Sequence, residues 1–135
     1  MSAVDGAKIW SLNYRVLLSV ISCAEADIAA LGLDSKELFL LAEIDDHPYP
    51  AELAATLSMP KATVTAYLKR LEAAGFVRRE IDPSDLRRHR LLLTPAGRQA
   101  AAGGLALVSD EFDKRLGCLT VTQQKDLKNL LEKIL

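Results

Sequence analysis

Nine basic side chains fall between Pro60 and Ala100: Lys61, Lys69, Arg70, Arg78, Arg79, Arg87, Arg88, Arg90 and Arg98. Only four acids share the stretch, Glu72, Glu80, Asp82 and Asp85. Seven of the nine cations are arginine, whose planar fork of donors suits bidentate contact with phosphate oxygens and guanine edges. The segment carries +5 and the rest of the chain −6, so the overall charge of −1 conceals a sharp division. An evenly spread −1 argues against a polyanionic partner. A cluster of this size is usually a solvated face; it argues for nucleic acid only where the local structure presents the cations together.

Catalytic chemistry has no comparable candidate. His-Glu-x-x-His, a Gly-rich phosphate loop, Cys-x-x-Cys and a nucleophile elbow are all missing, and there are only two histidines. Asp45, Asp46 and His47 are consecutive at an expected helix end and cannot easily converge on one ion. Neither a metal nor a cofactor is expected, and the chain does not read as an enzyme. His89 sits inside the basic stretch and reads as facing solvent or phosphate. Cys23 and Cys118 lie 95 positions apart, too few and too distant for a disulfide framework or a metal pair, and read as free cytosolic thiols.

Composition bounds the elements that must position these residues. A chain of 135 residues, 50% apolar and 26% charged, predicts one soluble globular domain. The best apolar run, residues 16–21, is broken by Ser19 and is far too short to span a bilayer. Met1-Ser2-Ala3-Val4-Asp5 has no basic region feeding an apolar one, so a cytoplasmic protein without a membrane partner is expected.

Apolar residues at three- and four-residue steps predict a long helix over 7–31, with Gly32 just past its end. Asp34 or Ser35 can cap a second helix carrying Leu38, Leu41 and Ile44, which stops before Pro48. Pro50 opens a short helix over 51–57, with Leu53, Ala54 and Leu57 inward. Ser58 is read as a cap and Pro60 as the first turn of the next helix, over 61–74. There Val64, Leu68 and Leu71 form one apolar stripe, which leaves Lys61, Thr63, Thr65, Lys69 and Arg70 off it. Two helices joined by a three-residue turn are a helix-turn-helix signature, and the second presents small, polar and basic residues, as entry into a major groove requires.

A strand over 76–81, a turn at Asp82-Pro83-Ser84-Asp85 and a returning strand from about Arg88 predict a hairpin wing. Thr94 and Pro95 then start a helix to about Leu116, in which Gly103 and Gly104 mark a kink or a close packing point. Thr120 with Gln123 forms a capping box before a last helix with Leu127, Leu130, Leu131 and Ile134 along one face.

In this order, these elements resemble the MarR family of winged helix-turn-helix transcriptional regulators along essentially the whole chain. Asp85-Leu86-Arg87, followed by Leu93-Thr94-Pro95-Ala96-Gly97, is similar to the family's wing motif, Asp-x-Arg with Leu-Thr-x-x-Gly a fixed distance on. Residues 59–65 and 71–77 resemble the recognition helix and its exit; Leu119-Thr120 with Leu130-Leu131-Glu132 resembles the C-terminal dimerisation helix. The resemblance implies a mainly α fold with a small β wing, as one domain over 1–135. Within it, 34–94 would be the DNA-binding part and 7–31 with 95–135 the dimerisation helices. It implies that Arg87 enters the minor groove with Asp85 holding it, and that a homodimer binds a pseudo-palindromic operator; Arg88 and Arg90, next to the wing tip, read from their position as phosphate contacts.

Regulation, most often repression, by a small-molecule or oxidative signal is implied as well. Trp10 and Tyr14, one turn apart, are the candidate lining for a small aromatic or phenolic effector, though core or dimer packing is the favoured reading of the pair. Cys23 is the candidate redox residue, but it lies about two and a half turns after Tyr14, unlike the family's peroxide-sensing cysteine near the start of its first helix. A winged-helix protein-interaction module, the competing class, would carry acidic or apolar residues on the outward face of 61–74; this chain carries basic and small ones.

Overall fold

The computed structural model describes residues 4–135; residues 1–3, part of the stretch read above for a leader, lie outside it. In order come α1 (Gly6–Ala30), α2 (Ser35–Glu43), α3 (Pro50–Thr56), α4 (Lys61–Ala73), β1 (Val77–Asp82), β2 (Asp85–Leu93), α5 (Pro95–Leu116) and α6 (Val121–Ile134). The chain is mainly helical with one two-stranded antiparallel sheet. It divides into two compact units. One joins the chain up to Ala24 with Leu107–Leu135; the other is Glu25–Ala106.

The second unit holds fifteen of the seventeen buried apolar residues among those described. Asp34 rather than Ser35 caps α2, in a reciprocal box: the Glu37 amide donates to Asp34 Oδ1 at 2.7 Å and the Asp34 amide to Glu37 Oε1 at 3.3 Å. From α2, Leu38, Leu41 and Ile44 reach the core as expected, and Leu40 joins them. Leu53 and Ala54 of α3 and Val64, Leu68 and Leu71 of α4 complete the centre. Full burial stabilises each of these leucines and Val64 by about 1.5–3 kcal/mol, and that sum decides which face of α4 is inward. Ser58 makes no cap; it takes the left-handed conformation (φ 52°) that turns the chain between α3 and α4, and Pro60 occupies the N-cap position of α4.

The last part of this unit is packed at short range. Thr94 donates its hydroxyl to the Gly75 carbonyl at 2.6 Å and accepts the Gly97 amide at 3.0 Å, so it caps α5 and ties it to the α4 exit. A Cβ at Gly97 would fall on the Phe76 carbonyl, and one at Gly104 would meet the Leu38 methyls. Gly104 is therefore a packing point within an unbroken α5.

The first unit is built differently. Thr120 and Gln123 form the expected capping box on α6, yet α6 buries none of its residues. Thirteen of the sixteen large apolar side chains exposed among the described residues belong to this unit, among them Ile9, Trp10, Leu17 and Leu18 on α1 and Leu130, Leu131 and Ile134 on α6. Among the described residues, no single helix is long and apolar enough to cross a membrane.

Candidate nucleic-acid interface

The buried stripe of α4 leaves Lys61, Thr65, Lys69 and Arg70 exposed and Thr63 half-buried. The side chains of Lys61 and Lys69 make no ion pair or hydrogen bond among the described residues. Arg70 lies over the Tyr67 ring at 4.4 Å, with Asp34 at 3.8 Å. Thr65 donates its hydroxyl to the Lys61 carbonyl at 3.0 Å, which spends its proton on the helix and leaves its lone pairs to accept. Thr63 lines a recess of about 410 Å³ with Lys36, Phe39, Leu57, Ser58, Met59 and Pro60. Lys36, a third unpaired cation, escaped the sequence reading because it lies outside the basic stretch.

The arginines behave otherwise. Arg78 pairs with Glu80, Arg79 with Glu72, Arg90 with Glu80 at 2.5 Å and Arg98 with Asp45 at 2.7 Å. These are partly exposed contacts worth about 0–1 kcal/mol each, easily exchanged for phosphate. Asp45 and His47 thus find ordinary partners, His47 beside Glu43 and Glu52, and no His/Cys/Asp/Glu group among the described residues is arranged to hold a metal.

The wing departs from expectation at its tip. The return begins at Asp85 and only Pro83 and Ser84 form the loop. Val77 faces Leu93 and Ile81 faces His89, but Asp82 faces Asp85, so Leu86, Arg87 and Arg88 are extra residues on β2 without partners on β1. A bulge of this kind re-aims side chains. Arg87 stands 92% exposed, and among the described residues its side chain bonds only Asp85: the Asp85 carboxylate accepts from its backbone amide at 3.1 Å and its Nε at 3.3 Å. The motif pair is therefore in contact.

Arg88 turns back. Its Nε donates to Asp82 Oδ2 at 3.0 Å and its guanidinium lies 3.8 Å above the Tyr49 ring. Asp82 is 2% exposed and fully satisfied: Tyr49 donates its hydroxyl to the same Oδ2, while Ser84 donates its amide (2.9 Å) and hydroxyl (2.7 Å) to Oδ1. The Tyr49 hydroxyl foremost, then Ser84, holds the Asp82 carboxyl well below the usual carboxylate range, so it stays an ionised acceptor at every mildly acidic or neutral pH. Donating to Asp82 in turn raises the Tyr49 hydroxyl above its ordinary value. The Asp82–Ser84 turn was legible in sequence as Asp-x-Ser. Tyr49, 33 positions away, gave no signal.

In the first unit, Trp10 and Tyr14 stack at 5.8 Å with 16° between their planes, and both stay exposed. Cys23 and Cys118 are free and exposed. The Cys23 Sγ accepts from Arg115 Nη2 at 3.6 Å; the same nitrogen donates to Ser19.

The MarR family model matches residues 31–88, from the end of α1 through α2, α3, α4 and β1 to the bulge of β2. The HTH-type transcriptional repressor Rv2887 of Mycobacterium tuberculosis is 32% identical over 99% of this chain and 98% of its own. This chain belongs to the MarR family. That places it in a class of transcriptional regulators rather than among enzymes. The MarR-family winged helix is also the fold of its solved relatives. Rv2887 in complex with DNA superposes with a TM-score of 0.72 at 31% identity, covering 92% of this chain and 94% of that one. Rv2887 in complex with salicylic acid superposes at 0.74 and 33%, covering 91% and 93%.

Proposed function

We propose that this MarR-family chain is a sequence-specific double-stranded DNA-binding repressor. It acts in the cytoplasm as a homodimer on a pseudo-palindromic operator. The observation that carries the reading is the pairing of an unencumbered α4 face, with Lys61 and Lys69 unpartnered, and a bulge that holds Arg87 out at the wing tip. On this reading α4 enters a major groove, where Lys61, Thr63, Thr65, Lys69 and Arg70 contact base edges and phosphates. Arg87, supported by Asp85, reaches the adjacent minor groove. Arg90 and the free Nη groups of Arg88 add phosphate contacts. Rv2887, solved with DNA, supports the assignment by likeness.

The exposed apolar side chains of the first unit are the surface a second copy covers. Small-molecule control is supported by the salicylic acid complex of Rv2887 and by a recess of about 450 Å³ lined by Leu12, Arg15, Val16, Ser19 and Arg115, whose guanidinium groups suit an aromatic carboxylate. Trp10 and Tyr14 supply aromatic surface on α1, and Cys23 is the site at which oxidation would act.

Ionic strength tests the DNA reading. If the dimer neutralises roughly 6–10 phosphates, affinity for duplex falls about 10³–10⁵-fold between 50 and 200 mM salt. Fluorescence anisotropy of a labelled duplex across that range measures it; a flat response contradicts DNA binding.

A further inference from the structure

The wing tip is not held by the ladder of its own sheet. Leu86, Arg87 and Arg88 have no ladder partners on β1, so the ladder leaves their conformation open, and among the described residues the Arg87 side chain bonds only Asp85, two positions back. Besides the Asp82 carboxylate of β1, which takes Arg88 Nε, contacts to β2 come from the loop between α2 and α3. The Pro48 carbonyl accepts the Leu91 amide at 2.8 Å, and Tyr49, at the N-cap position of α3, meets both Asp82 of β1 and Arg88 of β2.

We infer that Tyr49 is a positioning residue: by joining Asp82 and Arg88 it fixes the bulge, and so Arg87, relative to the helix-turn-helix. The inference rests on the DNA reading above. Its chemistry is a four-donor carboxylate. Oδ1 of Asp82 is taken by Ser84 of the hairpin loop, and Oδ2 is shared by the Tyr49 hydroxyl and Arg88 Nε. The phenol ring beneath the guanidinium adds a cation–π contact in a site where Asp82 is closed to water. Removing the hydroxyl takes one of the two donors from Oδ2 and loosens Arg88, one residue from Arg87. Because Tyr49 is also the N-cap residue of α3, the helix-turn-helix and the wing tip share this anchor, in addition to the Arg79–Glu72 pair and the Pro48–Leu91 bond. The distance between major-groove and minor-groove contacts is set there.

A double-mutant cycle separates positioning from mere stability. The duplex is one enriched from a randomised pool by the wild-type chain, and dissociation constants are measured for wild type, Tyr49→Phe, Arg87→Ala and the double variant at one salt concentration, with melting curves alongside. Tyr49→Phe is expected to weaken binding about tenfold, the scale of losing one hydrogen bond to a charged group. Arg87→Ala then costs almost nothing further in the Tyr49→Phe background. A tyrosine that only stabilised the fold would lower the melting temperature and leave the Arg87→Ala factor unchanged, and multiplying losses would overturn the inference. Arg88→Gln, which keeps the Tyr49–Asp82 bond, runs the same cycle without depending on how well Tyr49→Phe folds. A wild-type chain that enriches no sequence overturns the DNA reading itself; enrichment with multiplying losses overturns only the role of Tyr49.

Discussion

Leu130→Asp with Ile134→Asp yields a folded monomer whose DNA affinity is lower than the wild type's by more than about 100-fold. The first half of that result follows from burial. α6 buries none of its residues within the protomer and Ile134 is 74% exposed, so the substitutions remove no core contact. Surface changes of that kind alter folding stability by about 0.5 kcal/mol or less. The second half follows from where the apolar surface lies. Large side chains on α1 and α6 are exposed in a single chain, and covering each stabilises association by about 1.5–3 kcal/mol. Half a dozen per protomer offset an association cost of about 4–15 kcal/mol. Two aspartates placed on that surface must be desolvated without partners, which reverses the balance. A monomer then meets one half-site alone and loses the second set of contacts that linkage makes nearly intramolecular. Sedimentation velocity at micromolar concentration reads the first part and anisotropy the second. A wild type that sediments as a monomer, or a double aspartate variant that still dimerises, contradicts the assignment of this surface.

Arg87→Ala lowers affinity about tenfold on every duplex and reduces the slope of log affinity against log salt by about two, one for each protomer of the dimer. Its side chain is 92% exposed and pairs, among the described residues, only with Asp85, so the loss is felt in binding and not in the fold. A minor-groove or phosphate contact carries little sequence information, hence the uniformity. Lys61→Ala and Thr65→Ala act on the other groove and shift which sequence is preferred. Thr65 matters as an acceptor there, because its hydroxyl proton already serves the Lys61 carbonyl. Affinities on a panel of single-base variants separate the two patterns; a sequence-dependent Arg87 effect would move that residue out of the minor groove.

Much of this was readable beforehand, for a physical reason. The outward face of α4 follows from the spacing of Val64, Leu68 and Leu71, since three fully buried residues on one stripe fix the rest by geometry. The caps at Asp34, Thr94 and Thr120 are local, and local rules located them to within a residue. The wing tip was not readable to the same depth. The returning strand was placed from Arg88 because Leu86-Arg87-Arg88-His89-Arg90 shows no alternation, whereas β2 starts at Asp85 and carries the bulge. Its conformation is decided by Tyr49, far along the chain, and no window of sequence contains both. For the same reason Arg88 read as a simple phosphate contact, although it has a carboxylate and a ring as partners within the chain. Ser58 read as a cap because serine usually is one; the turn instead required its left-handed backbone. Cys23 reads as a free thiol, and its stretch of α1 is exposed in the single chain.

The charge that first pointed to nucleic acid sorts itself in three dimensions. Among the described residues the lysine side chains on α2 and α4 are unpartnered, the wing arginines are paired with carboxylates, and Arg87, although paired with Asp85, is carried out 92% exposed on a bulge. The net +5 of residues 60–100 is thus less telling than which of its cations are exposed and unpaired.

Selection of bound duplexes from a randomised pool by the wild-type chain tests the central claim most directly. Two α4 helices related by a two-fold predict an inverted repeat whose half-sites lie about 10 bp apart, centre to centre. Enrichment of a single unrepeated half-site, or of no sequence at all, would contradict a dimer that reads DNA with α4.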